Sequence, residues 1–109
     1  MKKLLTLLSL TLFAFPAMAD DLDTNREKVK QIFLSDEEPK VKDAVWTSDF
    51  VFKVGVKDDG TKRDGYAQYV CLVLAENGFT GKDVLVRVID IDKFRKTSEW
   101  INLGTAKCQ

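Results

Sequence analysis

A small α+β domain is the fold class this sequence predicts, and three observations predict it. Asp83–Asp92 is rich in β-branched residues, which suit a pleated surface better than a helix. Phe50, Phe52, Val54 and Val56 alternate with Val51, Lys53 and Gly55, the period of a strand with one buried face. Between these strands, Tyr66–Ala75 is almost wholly apolar and ends in Glu76-Asn77-Gly78, a left-handed helix stop. The expected architecture is a sheet of about three strands with a central apolar helix over residues 65–77 packed on one face. An amphipathic amino-terminal helix over residues 25–34 should lie beside it.

The chain begins Met1-Lys2-Lys3, runs apolar from Leu4 to Phe15 and continues Pro16-Ala17-Met18-Ala19. A basic start, an apolar stretch and an Ala-x-Ala site are the parts of a secretory signal, in order. The apolar run is short for a membrane anchor, and no cysteine follows the site to accept a lipid. Residues 1–19 are therefore expected to be a cleaved signal peptide, and residues 20–109 a single exported domain, periplasmic or secreted in a bacterium, without a membrane anchor. Residues 20–109 carry 15 basic and 17 acidic side chains, a formal charge of −2. That balance supplies no case for nucleic acid or an anionic membrane surface as partner.

Thr24 and Glu27 have capping-box spacing, which makes Thr24 the expected N-cap of the first helix; Val29, Ile32 and Phe33 form its apolar stripe. Pro39 stops a second helix from following Ser35. Lys40–Trp46 fits either a helical turn or a short edge strand. Trp46 is expected at the core or its rim, with ligand stacking as the alternative.

Lys57–Gly65 is polar and carries two glycines, so it should be a loop. Asp64 would cap the central helix, whose deepest stripe would be Ala67, Val70, Cys71 and Leu74. The same apolar run also fits a strand returning on Phe50–Val56, which would give an all-β core. Its length and its Asn-Gly ending favour the helix, and the flanking strands should then be parallel. Val84, Val86 and Val88 share one face of the later strand, and Leu85, Arg87, Ile89 and Ile91 the other. Lys93–Thr97 is expected to be a basic, solvated connector. Trp100–Cys108 closes the chain as a strand, with Trp100 and Cys108 on one face.

Cys71 and Cys108 are the only cysteines, an even number in an exported chain, so a disulfide between them is expected. Closing a loop of this length is worth about 4 kcal/mol on the chain-entropy model. Cys71 sits among apolar neighbours, unlike a redox thiol.

The chain contains no histidine, which removes the Ser-His-Asp and Cys-His arrangements and leaves no ordinary zinc set. Asp58, Asp59 and Asp64 miss the calcium-loop pattern, and no glycine run matches a phosphate loop. Asp90 and Asp92, two apart at a strand end, would project from the same side and could divide acid and base roles as in glycoside hydrolysis, although carboxylates at a strand terminus are commonplace. The order helix, extended segment, helix, strand in a small exported domain resembles the BON domains of bacterial envelopes in order of elements alone, and no residue role is carried over from it.

The expected function is accordingly non-catalytic, without cofactor or metal: binding another envelope or secreted protein, as an inhibitor or immunity-type protein. The alternatives are a binder of a small envelope ligand through an aromatic groove, and a hydrolase using Asp90 and Asp92. Trp46, Trp100, Lys93, Arg95 and Lys96 are the candidate contacts to a partner.

Overall fold

Two parallel strands joined through a helix form the centre of the structure, and an antiparallel strand flanks each of them. The computed structural model describes residues 21–109, so the signal segment expected over residues 1–19 lies outside the described residues. Helix α1 (Leu22–Leu34) leads into β1 (Val41–Ser48) and β2 (Val51–Val56). Helix α2 (Asp64–Leu74) crosses to β3 (Leu85–Asp90), and α3 (Ile91–Thr97) precedes β4 (Asn102–Lys107). The sheet order is β1-β2-β3-β4, with β2 and β3 parallel and both outer pairs antiparallel.

This is the α+β class expected, with a fourth strand where Lys40–Trp46 had left two readings open. Register shifts after Val41 and after Trp46 interrupt the pleat of β1, so its apolar residues never show a clean alternation in sequence.

The register puts one row of side chains under the helices. Ala44 pairs with Val54, which pairs with Val88, which meets Gly104; Trp46, Phe52, Val86 and Ala106 form the row beside it. Val29 and Phe33 of α1, and Ala67, Val70 and Leu74 of α2, close over these rows and are fully buried. Phe33 and Phe52 meet at 5.7 Å between ring centroids. Each such buried side chain contributes about 1.5–3 kcal/mol.

The helix starts differ from expectation. Asp21, not Thr24, caps α1: its carboxylate accepts from Thr24 N at 3.2 Å and from Thr24 Oγ1 at 2.8 Å. An aspartate caps at least as well as a threonine and its charge suits the helix dipole, so the helix gains a turn. Asp64 stands inside α2 rather than capping it, and its Oδ1 accepts from Thr105 N at 2.9 Å. Past Leu74 the backbone widens into a π-type turn, Ala75–Phe79, ended by Gly78 at φ 96°. Asn77 Nδ2 donates to Val73 O at 2.7 Å, closing one of the helix's last carbonyls.

Two contacts hold α2 against β4. At one end Arg63 N donates to Leu103 O at 2.9 Å, and a Cβ on Gly104 would overlap the Arg63 carbonyl. At the other end Cys71 and Cys108 are disulfide-bonded, with Cα atoms 5.3 Å apart. The bridge points to an oxidising, non-cytoplasmic compartment. No helix of the described residues is long and apolar enough to cross a membrane.

The loop between α1 and β1 is tied to α2 by a buried carboxylate. Glu38 is 8% exposed and accepts from Tyr66 Oη at 2.6 Å and also from Tyr69 Oη. Burial, reinforced by the Glu38 hydrogen bond, holds the Tyr66 phenol well above its usual range. For Tyr69 the Glu38 bond is the larger cause and burial the smaller, again upward.

These are the only tyrosines in the chain. Unfolded, they ionise near pH ~10. Folded, they hold their protons above it, so the stability they contribute is present below that pH and lost as pH rises. Tyrosinate absorbance should therefore stay flat through this range and appear together with loss of circular dichroism. A Glu38→Gln change should bring it to lower pH. A normal titration in the folded protein would contradict the account.

Candidate functional site

The sheet face turned away from α1 and α2 is covered only in part. Its central row runs Val45, Lys53, Arg87, Thr105 across the four strands; the next runs Asp43, Gly55, Ile89, Asn102. Gly55 is glycine for a packing reason, since a Cβ there would lie 2.8 Å from Ile91 Cδ1. Ile91 is thereby laid across the face, and α3 follows it.

Trp100 lies on this outer face, not on the Cys108 face where strict alternation in β4 would put it. The pairing passes from Val88↔Gly104 to Ile89↔Asn102, so Leu103 is an extra residue in β4. One extra residue exchanges the two faces of everything beyond it. Gly104 and Ala106 consequently face inward, with Cys108 buried in the same core cluster, whereas Trp100 stacks on Phe94 at 4.1 Å between centroids.

Lys53 Nζ stands 3.9 Å from the centre of the Trp100 ring. Burial, and secondarily the Arg87 guanidinium, pulls the Lys53 ammonium below its ordinary pKa. Trp100 stays 42% exposed, with Ile101 and Val45 exposed to a similar degree. The cleft between Trp100, Phe94, Ile89 and Val45 holds only about 30 Å³.

Lys93–Thr97 is helical rather than a loop, and apart from the half-buried Phe94 it is solvated as expected. Asp90 ends β3 and turns its Oδ1 to Lys93 N at 3.1 Å, capping α3. Ser98, at φ 63°, closes the helix with its amide on Phe94 O, and Arg95 and Lys96 occupy the last turn, where cations suit the dipole. The chain from Lys93 to Trp100 thus carries a basic helix directly into an exposed aromatic ring.

The remaining sequence-derived candidates lie elsewhere. Trp46 is on the inner side of the sheet, half-buried. Its Nε1 donates to Arg26 O at 3.0 Å, and its ring stacks on Phe79 at 5.3 Å. The Arg26 guanidinium lies 5.8 Å from the Trp46 ring and 5.2 Å from Phe50, while its Nε donates to Asp49 O. Trp46 thus ties α1 to β1, and the two tryptophans do not share a groove. Asp90 is 6% exposed and engaged as a cap, whereas Asp92 is exposed, 3.9 Å from Lys57 Nζ. Both border a basin of about 290 Å³ with Lys57, Asp58, Lys93 and Lys96, but Asp90 Oδ1 is taken up by the amide of Lys93 and Asp92 faces Lys57.

Comparison with protein-family models, curated proteins and solved structures finds no match to this chain.

The chain has two tryptophans, so their surroundings can be read separately. Iodide should quench the fluorescence of Trp46→Phe strongly and that of Trp100→Phe weakly. With Lys53 above Trp100, caesium should quench that ring less than iodide does. Equal quenching of the two variants would contradict the placement.

Proposed function

We propose that this chain is a non-catalytic protein of the periplasm or the cell exterior that binds another protein through the outer sheet face. The observation that carries the reading is the exposed Trp100, stacked on Phe94 and continuous with the basic residues of α3. Aromatic anchors beside arginine and lysine are the composition of protein-binding patches rather than of inert surface.

The cleft beside Trp100, about 30 Å³, argues against an organic ligand there, because such ligands occupy roughly 300–1,000 Å³. A protein surface needs no deep cavity. Lys53 and Arg87 share the sheet face with Trp100, and Lys93, Arg95 and Lys96 stand on the adjoining helix α3, against Asp43, Asp92 and Glu99. The expected partner therefore presents an acidic surface around an apolar contact. An inhibitor or immunity-type role fits a small, disulfide-braced domain whose rigid face is set to block a larger protein. The hydrolase reading has less support, because Asp90 is committed to capping α3.

A photo-crosslinking amino acid at Trp100, in cells exporting the protein, should give a discrete protein adduct that the same group at Lys28 does not. Reversing Lys93, Arg95 and Lys96 to glutamate should reduce that adduct about tenfold or more. Identical adducts from both positions, or indifference to charge reversal, would sink the reading.

A further inference from the structure

We infer that the pocket between the start of β1, the end of β2 and the first turn of α2 binds an oxyanion of at least two negative charges, a phosphate- or carboxylate-bearing group. It lies outside the Trp100 face and does not depend on it. Its volume is about 430 Å³, within the roughly 300–1,000 Å³ of ligand pockets.

Lys40, Lys42, Lys57 and Arg63 line it, with Asp58 and Asp59. The two carboxylates are largely engaged in the loop that carries them. Asp58 Oδ1 accepts from Gly60 N at 2.9 Å. Asp59 Oδ1 accepts from Thr61 N at 3.0 Å and Thr61 Oγ1 at 2.6 Å, and its Oδ2 lies 3.4 Å from Arg63 Nη2. These bonds hold the Asp59 carboxyl below its ordinary pKa. The lysines have no such partners: among the described residues no carboxylate comes within 4.0 Å of Lys40 or Lys42, and Lys57 reaches only Asp92, at 3.9 Å. Four cations against two carboxylates leave the pocket with an excess of positive charge, a cost when it is empty and an attraction for an anion.

Two features fix where the charges stand. The Arg63 side chain is 11% exposed; its Nη2 donates to Lys57 O at 3.0 Å, and its backbone amide is bound to β4. Its Nε is buried without an acceptor, and its Nη1 has none among the described residues. A guanidinium already ordered and short of acceptors loses little entropy when an oxyanion arrives. Just before β1, the Glu38 carboxylate anchors the loop through Tyr66 and Tyr69, and its backbone carbonyl accepts from Val41 N at 3.1 Å. Lys40, in the turn before β1, and Lys42, at the register shift after Val41, both line the pocket beside this anchored loop.

The anion has two sources, a free phosphorylated or polycarboxylate molecule or the headgroup of an anionic lipid. The oxidised protein is titrated at low ionic strength with inorganic pyrophosphate and, separately, with phosphatidylglycerol vesicles, in four forms. These are the unchanged protein, Lys40→Gln/Lys42→Gln, Asp58→Asn, and the charge-matched control Lys28→Gln/Lys107→Gln. The unchanged protein should bind at least one probe. The Lys40/Lys42 variant should lose about tenfold or more in affinity, the worth of about one charge-assisted hydrogen bond. Asp58→Asn should tighten binding and the control should leave it alone. Pyrophosphate bound with this pattern assigns a free ligand, and vesicles alone bound with it assign a headgroup. No binding of either probe, or an equal loss in the control, overturns the inference.

Discussion

The fold depends on how closely α2 approaches β4. A parallel pair such as β2 and β3 needs a crossover helix, and that helix must lie on the sheet to bury its apolar stripe. Here it lies down so tightly that the strand beneath must carry glycine at position 104, where a side chain would meet the Arg63 carbonyl. The same approach lets Arg63 N and the Asp64 carboxylate take up Leu103 O and Thr105 N, groups that an edge strand would otherwise leave to solvent or to another chain. Two helical turns further along α2, in its last turn, the Cys71–Cys108 bridge makes the second attachment. Two attachments fix both the position and the direction of the helix.

From that clamp the remaining asymmetry follows. Both long helices are committed to one face of the sheet, so the other is left with α3 and the short crossing to Trp100. A small domain buries a modest fraction of its surface, and an uncovered sheet face is where apolar side chains remain exposed. The bulge at Leu103 decides which side chain is exposed there: without it, Trp100 would point at the helices. The charged end of the sheet is shaped by the same elements, since Arg63 sits where α2 starts and where β4 is gripped. The proposed protein-binding face and the proposed anion pocket are thus consequences of one arrangement.

Much of this was legible in the sequence, for physical reasons that differ by element. β3 announces itself because five of the ten residues from Asp83 to Asp92 are β-branched. The helix α2 was legible from its length and from Gly78, whose positive φ ends it as expected. The cysteine pairing followed from there being two cysteines in a chain whose start reads as a secretory signal. What stayed hidden are features in which one residue answers to a distant one. Asp64 looks like a cap until Thr105 N competes for it. Asp90 looks like a strand-end acid until α3 needs an acceptor. Gly55 and Gly104 give no local sign that Ile91 and Arg63 lie against them. The face of Trp100 was concealed by the bulge, which alternation cannot detect, although Gly104 beside Asn102-Leu103 was an available hint of irregular pleat. The tie from Glu38 to Tyr66 spans 28 residues and had no sequence signal.

The clamp itself is open to a direct measurement: denaturant unfolding of Gly104→Ala beside Gly65→Ala, both with the disulfide intact. A Cβ on Gly65 meets nothing within 4 Å, whereas one on Gly104 meets the Arg63 backbone. The account predicts a loss of about 2–3 kcal/mol for Gly104→Ala and a gain of up to about 1 kcal/mol for Gly65→Ala, where alanine favours the helix. If Gly104→Ala unfolded at the same denaturant concentration as the parent, α2 would not be seated on β4 as described.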